Sequence, residues 1–278
     1  MPTPPTPLLY ESHMHTPLCR HARGTPSDYA AVALQRNLAG IIVTCHNPMP
    51  NGYSASARML ESQWPDYLAL VAASAAQFAG RLDIRLGLEC DYAPGFEAFL
   101  EHQISSNPLH HVLGSVHPQV GEYRQKYFNG DPIAYQRTYF DHLAMAAETQ
   151  LFDTLSHPDL VKNISPKDWQ LPRVMDDIRR ALDRIAKAST AMELNTSGLN
   201  KEIPEMNPGP EILREIAQRK IPMVLGADAH DPIRVADKFE EALTLLESTG
   251  HTHIHFHLNR HRHPVPIPTA RASLTPLP

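Results

Sequence analysis

Seven short apolar runs punctuate the chain, at 8–10, 40–44, 82–88, 111–116, 151–155, 191–194 and 222–227. They are rich in Leu, Ile and Val and bounded by turn residues, the pattern of strands buried on both faces of a parallel sheet. Stretches of helical character lie between and after them, at 27–38, 54–79, 94–102, 132–149, 166–188, 210–219 and 232–248. Several open on proline, which suits a first helical turn because the N–H it lacks has no partner there. Trp64-Pro65 predicts a break inside the second stretch. Repeated strand–helix units with no internal linker predict one α/β domain.

The polar residues at the run ends decide between an open sheet and a barrel. The first run leads to His13 and His15, the second to His46, the third to Glu89, the fourth to His117 and the fifth to His157. The sixth ends in Glu193 and Asn195, the seventh in Asp228 and His230. In a closed barrel the C-terminal ends of all strands converge on one rim, whereas an open sheet brings together only those at its switch point. Candidates on nearly every strand therefore predict a closed or nearly closed barrel. Residues i and i+2 of a strand share a face, so His13 projects with His15, and Asp228 with His230. His21 follows in the first loop and folds back over the same rim. The metal-ligand set is His13, His15, His21, His46, Glu89, His117, His157, Asp228 and His230. One ion takes about four to six ligands, so this set predicts two or three divalent ions, with Glu89 suited to bridge two of them. Zinc, manganese and iron suit imidazole and carboxylate together; magnesium suits imidazole poorly.

Composition narrows the picture further. The 278 residues include 17 His and 26 Pro, with a net charge of −5. The charge offers no groove for a long polyanion, so no nucleic-acid partner is expected. Three widely spaced cysteines, Cys19, Cys45 and Cys90, do not make a disulfide framework and point to a reducing cytoplasm. Cys45 and Cys90 flank ligands and are expected to face away from them into the core, with Cys19 nearer the site. No apolar run is long enough to span a membrane, and the start lacks a signal-peptide pattern. Residues 1–7 and 263–278 are expected as proline-rich tails around a domain at 8–262. His251, His253, His255 and His257 alternate with apolar residues; they are read as the polar face of a strand near the barrel bottom or edge, not as a further metal site. His102, His110, His111 and His142 are read as surface or helix residues. Neither a Gly-rich phosphate loop nor a GxSxG elbow is found.

His13-Met-His15, His21, His46, Gly87-Leu-Glu89, Gly114-Ser-Val-His117, Leu155-Ser-His157-Pro-Asp159-Leu and Gly226-Ala-Asp228-Ala-His230 together resemble the PHP (polymerase and histidinol phosphatase) family over about residues 8–262. The stretches 17–26, 87–96 and 193–199 are similar to its histidinol-phosphate phosphatase branch. The resemblance implies a distorted (β/α)7 TIM-like barrel with a trinuclear site. One ion would take His13, His15, Glu89 and Asp228; a second Glu89, His117 and His157; a third His21, His46 and His230. Three positions depart from the family pattern: Cys45 before His46, Ala227 before Asp228, and Asn200 beside Lys201. None removes a ligand.

The implied activity is phosphomonoester hydrolysis, with L-histidinol phosphate as substrate in histidine biosynthesis. A metal-bridging hydroxide is expected to attack phosphorus, with Glu89, Asp228 and His230 as the catalytic group. Arg20, Lys162 and Lys201 are the candidate phosphate donors, and Asn195 is expected to orient a water or ligand. Asp91, Tyr92 or Glu193 is expected to meet the cationic amino alcohol. The alternatives are a phosphoesterase or phosphodiesterase acting on a nucleotide, and a non-catalytic metal-binding module.

Overall fold

The protein is described by a computed structural model covering Thr6 and residues 8–274. Nine strands form one sheet in chain order. They are β1 (Tyr10–Glu11), β2 (Gly40–Val43), β3 (Asp83–Asp91), β4 (His111–Ser115), β5 (Thr154–Leu155), β6 (Ala191–Asn195), β7 (Met223–Gly226), β8 (His253–Leu258) and β9 (His261–Pro266). Neighbours from β1 to β8 pair in parallel, and β8 and β9 form an antiparallel hairpin.

The barrel closes at its C-terminal rim. Beyond the strand ends Met14 pairs with Ala229, as His15 N–H donates to Ala229 O (3.0 Å) and Ala229 N–H to His13 O (2.9 Å). The seventh strand thus returns to the first, as a seven-stranded barrel requires. At the base, β8 pairs with β7 through Val224 and His255, and Phe256 of β8 stacks on Tyr10 of β1 (4.9 Å between ring centroids). Closure at the rim with an inserted hairpin at the base is the distortion of the barrel.

The helices are α1 (Pro26–Gln35), α2 (Trp64–Gln77), α3 (Glu97–Ser105), α4 (Gly121–Tyr127), α5 (Pro132–Glu148), α6 (Leu171–Ala188), α7 (Pro210–Gln218), α8 (Phe239–Ser248) and α9 (Ile267–Ser273). Thr25 and Asp28 form a capping box on α1, and Asp131 caps α5 by accepting from Ile133 and Ala134 N–H. The stretch expected as helix over 54–79 begins as short 3-10 turns, and its helix starts at Trp64, where proline fits the first turn.

Of the N-terminal tail expected over 1–7, all but Thr6 lies outside the described residues. The C-terminal expectation needs correcting. Residues 263–266 complete β9 and 267–273 form α9, which buries Ile267 and Ala270. Pro264 and Pro266 are tolerated because β9 pairs with β8 alone, so their missing N–H groups break no ladder. His111 also differs from expectation, being buried at the start of β4. His142 lies on helix α5 as expected, buried against the Tyr123 hydroxyl (2.7 Å).

Candidate metal centre

Glu89, at the rim end of β3, is the centre of the site and wholly buried. Its Oε1 accepts from Ser115 Oγ (2.6 Å) and lies 3.0 Å from His157 Nε2, 3.4 Å from His13 Nε2 and 3.5 Å from His117 Nε2. Its Oε2 lies 2.9 Å from His46 Nδ1 and 3.5 Å from His15 Nε2, without a hydrogen bond. The two oxygens therefore face two different groups of imidazoles. Asp228 Oδ1 stands 3.1 Å from His15 Nε2 and 3.5 Å from His13 Nε2.

The backs of the rings fix which nitrogens are available. His13 Nδ1 donates to Glu193 (2.7 Å) and His117 Nδ1 to Asp91 (2.7 Å). His21 Nδ1 donates to Cys19 O (2.7 Å) and His230 Nδ1 to Asp228 O (3.0 Å). A ring nitrogen facing a carbonyl or carboxylate must carry the proton, so in the neutral ring Nε2 is a lone pair. Yet His21 Nε2 and His230 Nε2 lie 2.9 Å apart, and the Nε2 atoms of His13 and His117 face Glu89. Lone pairs pointed at one another and at a carboxylate repel unless a cation lies among them. The donor set thus fits divalent metal, and so do the groupings His13–His15–Asp228, His13–Glu89–His157, His15–His46–Glu89 and His21–His46–His230, whose ligand atoms lie within 4.8 Å of one another.

The electrostatics agree. Burial would lower the His13 pKa, but Glu193, Asp228 and Glu89 together hold it well above the ordinary value. Burial would likewise raise Glu89, but His46, His13 and His117 hold it far below the usual carboxylate range. The carboxylates therefore favour positive charge at the centre. Burial keeps His46 and His230 neutral, their pKa values lowered to about 4 and about 3, which suits ligation. Two of the residues expected as ligands, His157 (φ 29°) and Asp228 (φ 49°), sit in the left-handed region, strain of the kind that collects at functional sites.

The PHP domain family matches residues 11–197 of the chain. The chain belongs to that family. A probable histidinol-phosphatase of Deinococcus radiodurans is 40% identical to this PHP protein over 252 residues, covering 87% of this chain and 94% of the relative. A histidinol-phosphatase of Bacillus subtilis is 25% identical over 266 residues, covering 84% and 97%. Among solved structures, the histidinol phosphate phosphatase of Lactococcus lactis, complexed with zinc, L-histidinol and phosphate, superposes with a TM-score of 0.78 at 19% identity, covering 91% of this chain and 98% of that one. A putative histidinol phosphatase of Listeria monocytogenes gives 0.74 at 20% identity, covering 84% and 99%. At these identities the two structures show the fold.

Within the PHP barrel, the nine residues expected as ligands all meet at one rim. The expected substrate-binding residues divide. Arg20 and Lys201 line a recess of ≈ 770 Å³ floored by His21, Asp228 and His230, and neither has an ion pair among the described residues. Lys162 does not reach it. Its buried ammonium is held by Asp159 and Glu205 (both 2.9 Å) and by Met206 O (3.1 Å). Those three acceptors use its three protons. Asn195 is buried too, donating to Glu193 and accepting from Ser197 N–H. Asp91 is committed to His117 and to Arg58 Nη2 (2.6 Å), Glu193 to His13, and Tyr92 to Glu97.

Sequence reasoning missed Arg58 and Glu11. Arg58 is buried, and together with His117 it overcomes the burial that would raise Asp91, holding that carboxyl well below its usual range. Glu11 accepts N–H groups from His13, Ala227 and Ala236, tying the rim end of β1 to the chain beyond β7, while burial pushes its pKa up to about 7. Cys45 and Cys90 are both buried in the core as expected, and Cys45 Sγ also accepts from Thr16 Oγ1 (3.2 Å).

Proposed function

We propose that this chain is a metal-dependent phosphomonoesterase that hydrolyses L-histidinol phosphate in histidine biosynthesis. The observation that carries the reading is the opposed Nε2 pair of His21 and His230, beside a buried carboxylate and beneath a basic recess. The ligand sets we propose are His13, His15, Glu89 and Asp228; Glu89, His117 and His157; and His21, His46 and His230, for two or three ions of zinc, manganese or iron. Glu89 and Asp228, with His230, make up the catalytic group. Ions bound there neutralise the phosphate dianion and acidify water.

The protein's own groups supply orientation. Arg20 and Lys201 offer the phosphoryl oxygens charged donors over the His21–His230 floor. On the other side of His21, a recess of ≈ 260 Å³ is lined by His46, Arg58, His117, Gln119 and Glu122. Glu122 is its carboxylate, and we assign it to the ammonium of the amino alcohol in place of Asp91, Tyr92 and Glu193. The substrate of the similar Deinococcus and Bacillus proteins, as their names give it, supports this choice. Free, buried thiols suit a reducing cytoplasm, where we place the enzyme, and no helix among the described residues is long and apolar enough to cross a membrane.

The test is phosphate release from L-histidinol phosphate by metal-loaded protein, repeated after EDTA and after metal is restored. Turnover that EDTA abolishes and zinc, manganese or iron restores is the expected result. Turnover indifferent to EDTA, or none with any of these ions, contradicts the reading.

A further inference from the structure

Of the seven barrel strands, β6 alone places no residue in the proposed ligand sets. Its rim residues, Glu193 and Asn195, are nevertheless wholly buried and tied to ligands on other strands. Glu193 Oε1 accepts from His13 Nδ1 at 2.7 Å, beyond the end of β1. Glu193 Oε2 accepts the main-chain N–H of His157 at 2.9 Å, beyond β5, and the amide of Asn195 at 2.9 Å. Asn195 Oδ1 accepts from Ser197 N–H at 3.0 Å, and Ser197 Oγ stands 3.1 Å from Asp228 Oδ2, beyond β7.

The bond to His157 has a particular consequence. His157 holds a left-handed backbone (φ 29°) that a side chain disfavours. A carboxylate accepting its N–H helps hold that conformation and so aims the ring at Glu89. The space for this carboxylate exists because position 226 is glycine, since a Cβ there would collide with Glu193 Oε1.

We infer that Glu193 is a positioning residue of the metal centre. It sets the His13 ring and the His157 main chain with its two oxygens, and Asn195 fixes it in place. It touches neither substrate nor ion. The inference rests on the metal reading above, not on the identity of the substrate.

The test uses the full chain carrying Glu193→Gln. The amide keeps the volume but turns one acceptor into a donor, which must face either His13 Nδ1–H or the His157 N–H. Zinc per chain after dialysis, the zinc Kd by competition with a chromophoric chelator, and the Tm of the metal-free protein are measured beside wild type. The expected result is a zinc Kd raised about 10–100-fold, bound zinc lost on dialysis, and a metal-free fold that still melts cooperatively. Excess zinc restores part of kcat, and KM changes little. Wild-type zinc content and Kd in the variant overturn the inference while leaving the metal reading intact. Wild type that binds no zinc overturns both. If Glu193→Gln fails to fold, Asn195→Ser releases the Oε2 contact together with the Ser197 contact, and Ser197→Ala, which keeps Glu193 and Asn195, is its control; a Kd raised about 10-fold above that of Ser197→Ala supports the inference, and a Kd no higher than that of Ser197→Ala overturns it.

Discussion

The two ends of the barrel use the same side chain for opposite purposes. At the rim, histidines stand with acceptors behind them (Glu193, Asp91, Cys19 O and Asp228 O) and carboxylates in front. At the base, His111 and His257 stack on each other with ring centroids 4.9 Å apart, both buried. Burial pushes the His257 pKa down to about 3, and Arg262, His255 and Arg260 push the same way. The leading charged neighbours of both rings are other histidines and arginines. The rim invites a cation and the base repels one. A cluster of histidines is therefore a metal site only where negative charge meets it and acceptors orient it.

The largest effect expected from that contrast falls on Glu89, the carboxylate proposed to be shared between ions. Glu89→Gln should lower kcat by about 10³-fold or more, because on the proposed ligand sets it would weaken the hold on more than one ion. Replacing His251, His253, His255 and His257 together, with His261 and His263 intact, should leave kcat/KM within about 3-fold, as for surface or packing changes away from a site. Steady-state kinetics of the two proteins decide the matter; a comparable loss in both would erase the distinction.

Removing Arg58 comes next. Arg58→Met leaves Asp91 buried without its cation, a change that typically costs about 3–5 kcal/mol. Thermal unfolding should show a drop in Tm, and kcat should fall as Asp91, the partner of the His117 ring, loses its anchor. An unchanged Tm would mean that Asp91 finds another donor. Truncating the recess is milder. Arg20→Ala and Lys201→Ala should each raise KM about 10-fold, the loss of one charge-assisted contact of about 1.5 kcal/mol. A change confined to kcat would instead place these groups in the chemistry.

The smallest effect is a pH dependence at the base. His257 is neutral in the fold down to about pH 3, but titrates near 6.5 when unfolded. Between those values the unfolded chain binds the extra proton, so the contribution of His257 to stability is lost as pH falls. His257→Phe should therefore gain on wild type in Tm as pH drops below 6.5. A Tm difference that stays constant from pH 7 to 4 would show that His257 is not held neutral.

The proposed ligands were legible because all but His21, which the first loop carries, lie just past an apolar run, where strand direction and the barrel rim leave little freedom. Lys162 shows the limit of that logic. It follows His157 by five positions, as a rim residue might, but Asp159 and Glu205, the latter remote in sequence, draw its ammonium inward. Arg58 lies between two short 3-10 turns, Ala55–Ala57 and Glu61–Gln63, ahead of α2, where no periodicity assigns a direction to the side chain. Glu193 and Asn195 were legible as rim residues but not as supports, since spacing along β6 does not reveal that the His13 ring stands behind them. Prolines at 264 and 266 read as a tail because an edge strand that tolerates them looks, in sequence, like no strand at all.

The central claim is a rim metal centre that hydrolyses one small phosphomonoester in preference to nucleotides. The most direct measurement is kcat/KM of zinc- or manganese-loaded protein for L-histidinol phosphate, beside 5′-AMP and a dinucleotide diester. The account predicts a preference for L-histidinol phosphate of about 100-fold, roughly 2.7 kcal/mol of transition-state discrimination. Equal or greater activity on either nucleotide would contradict it.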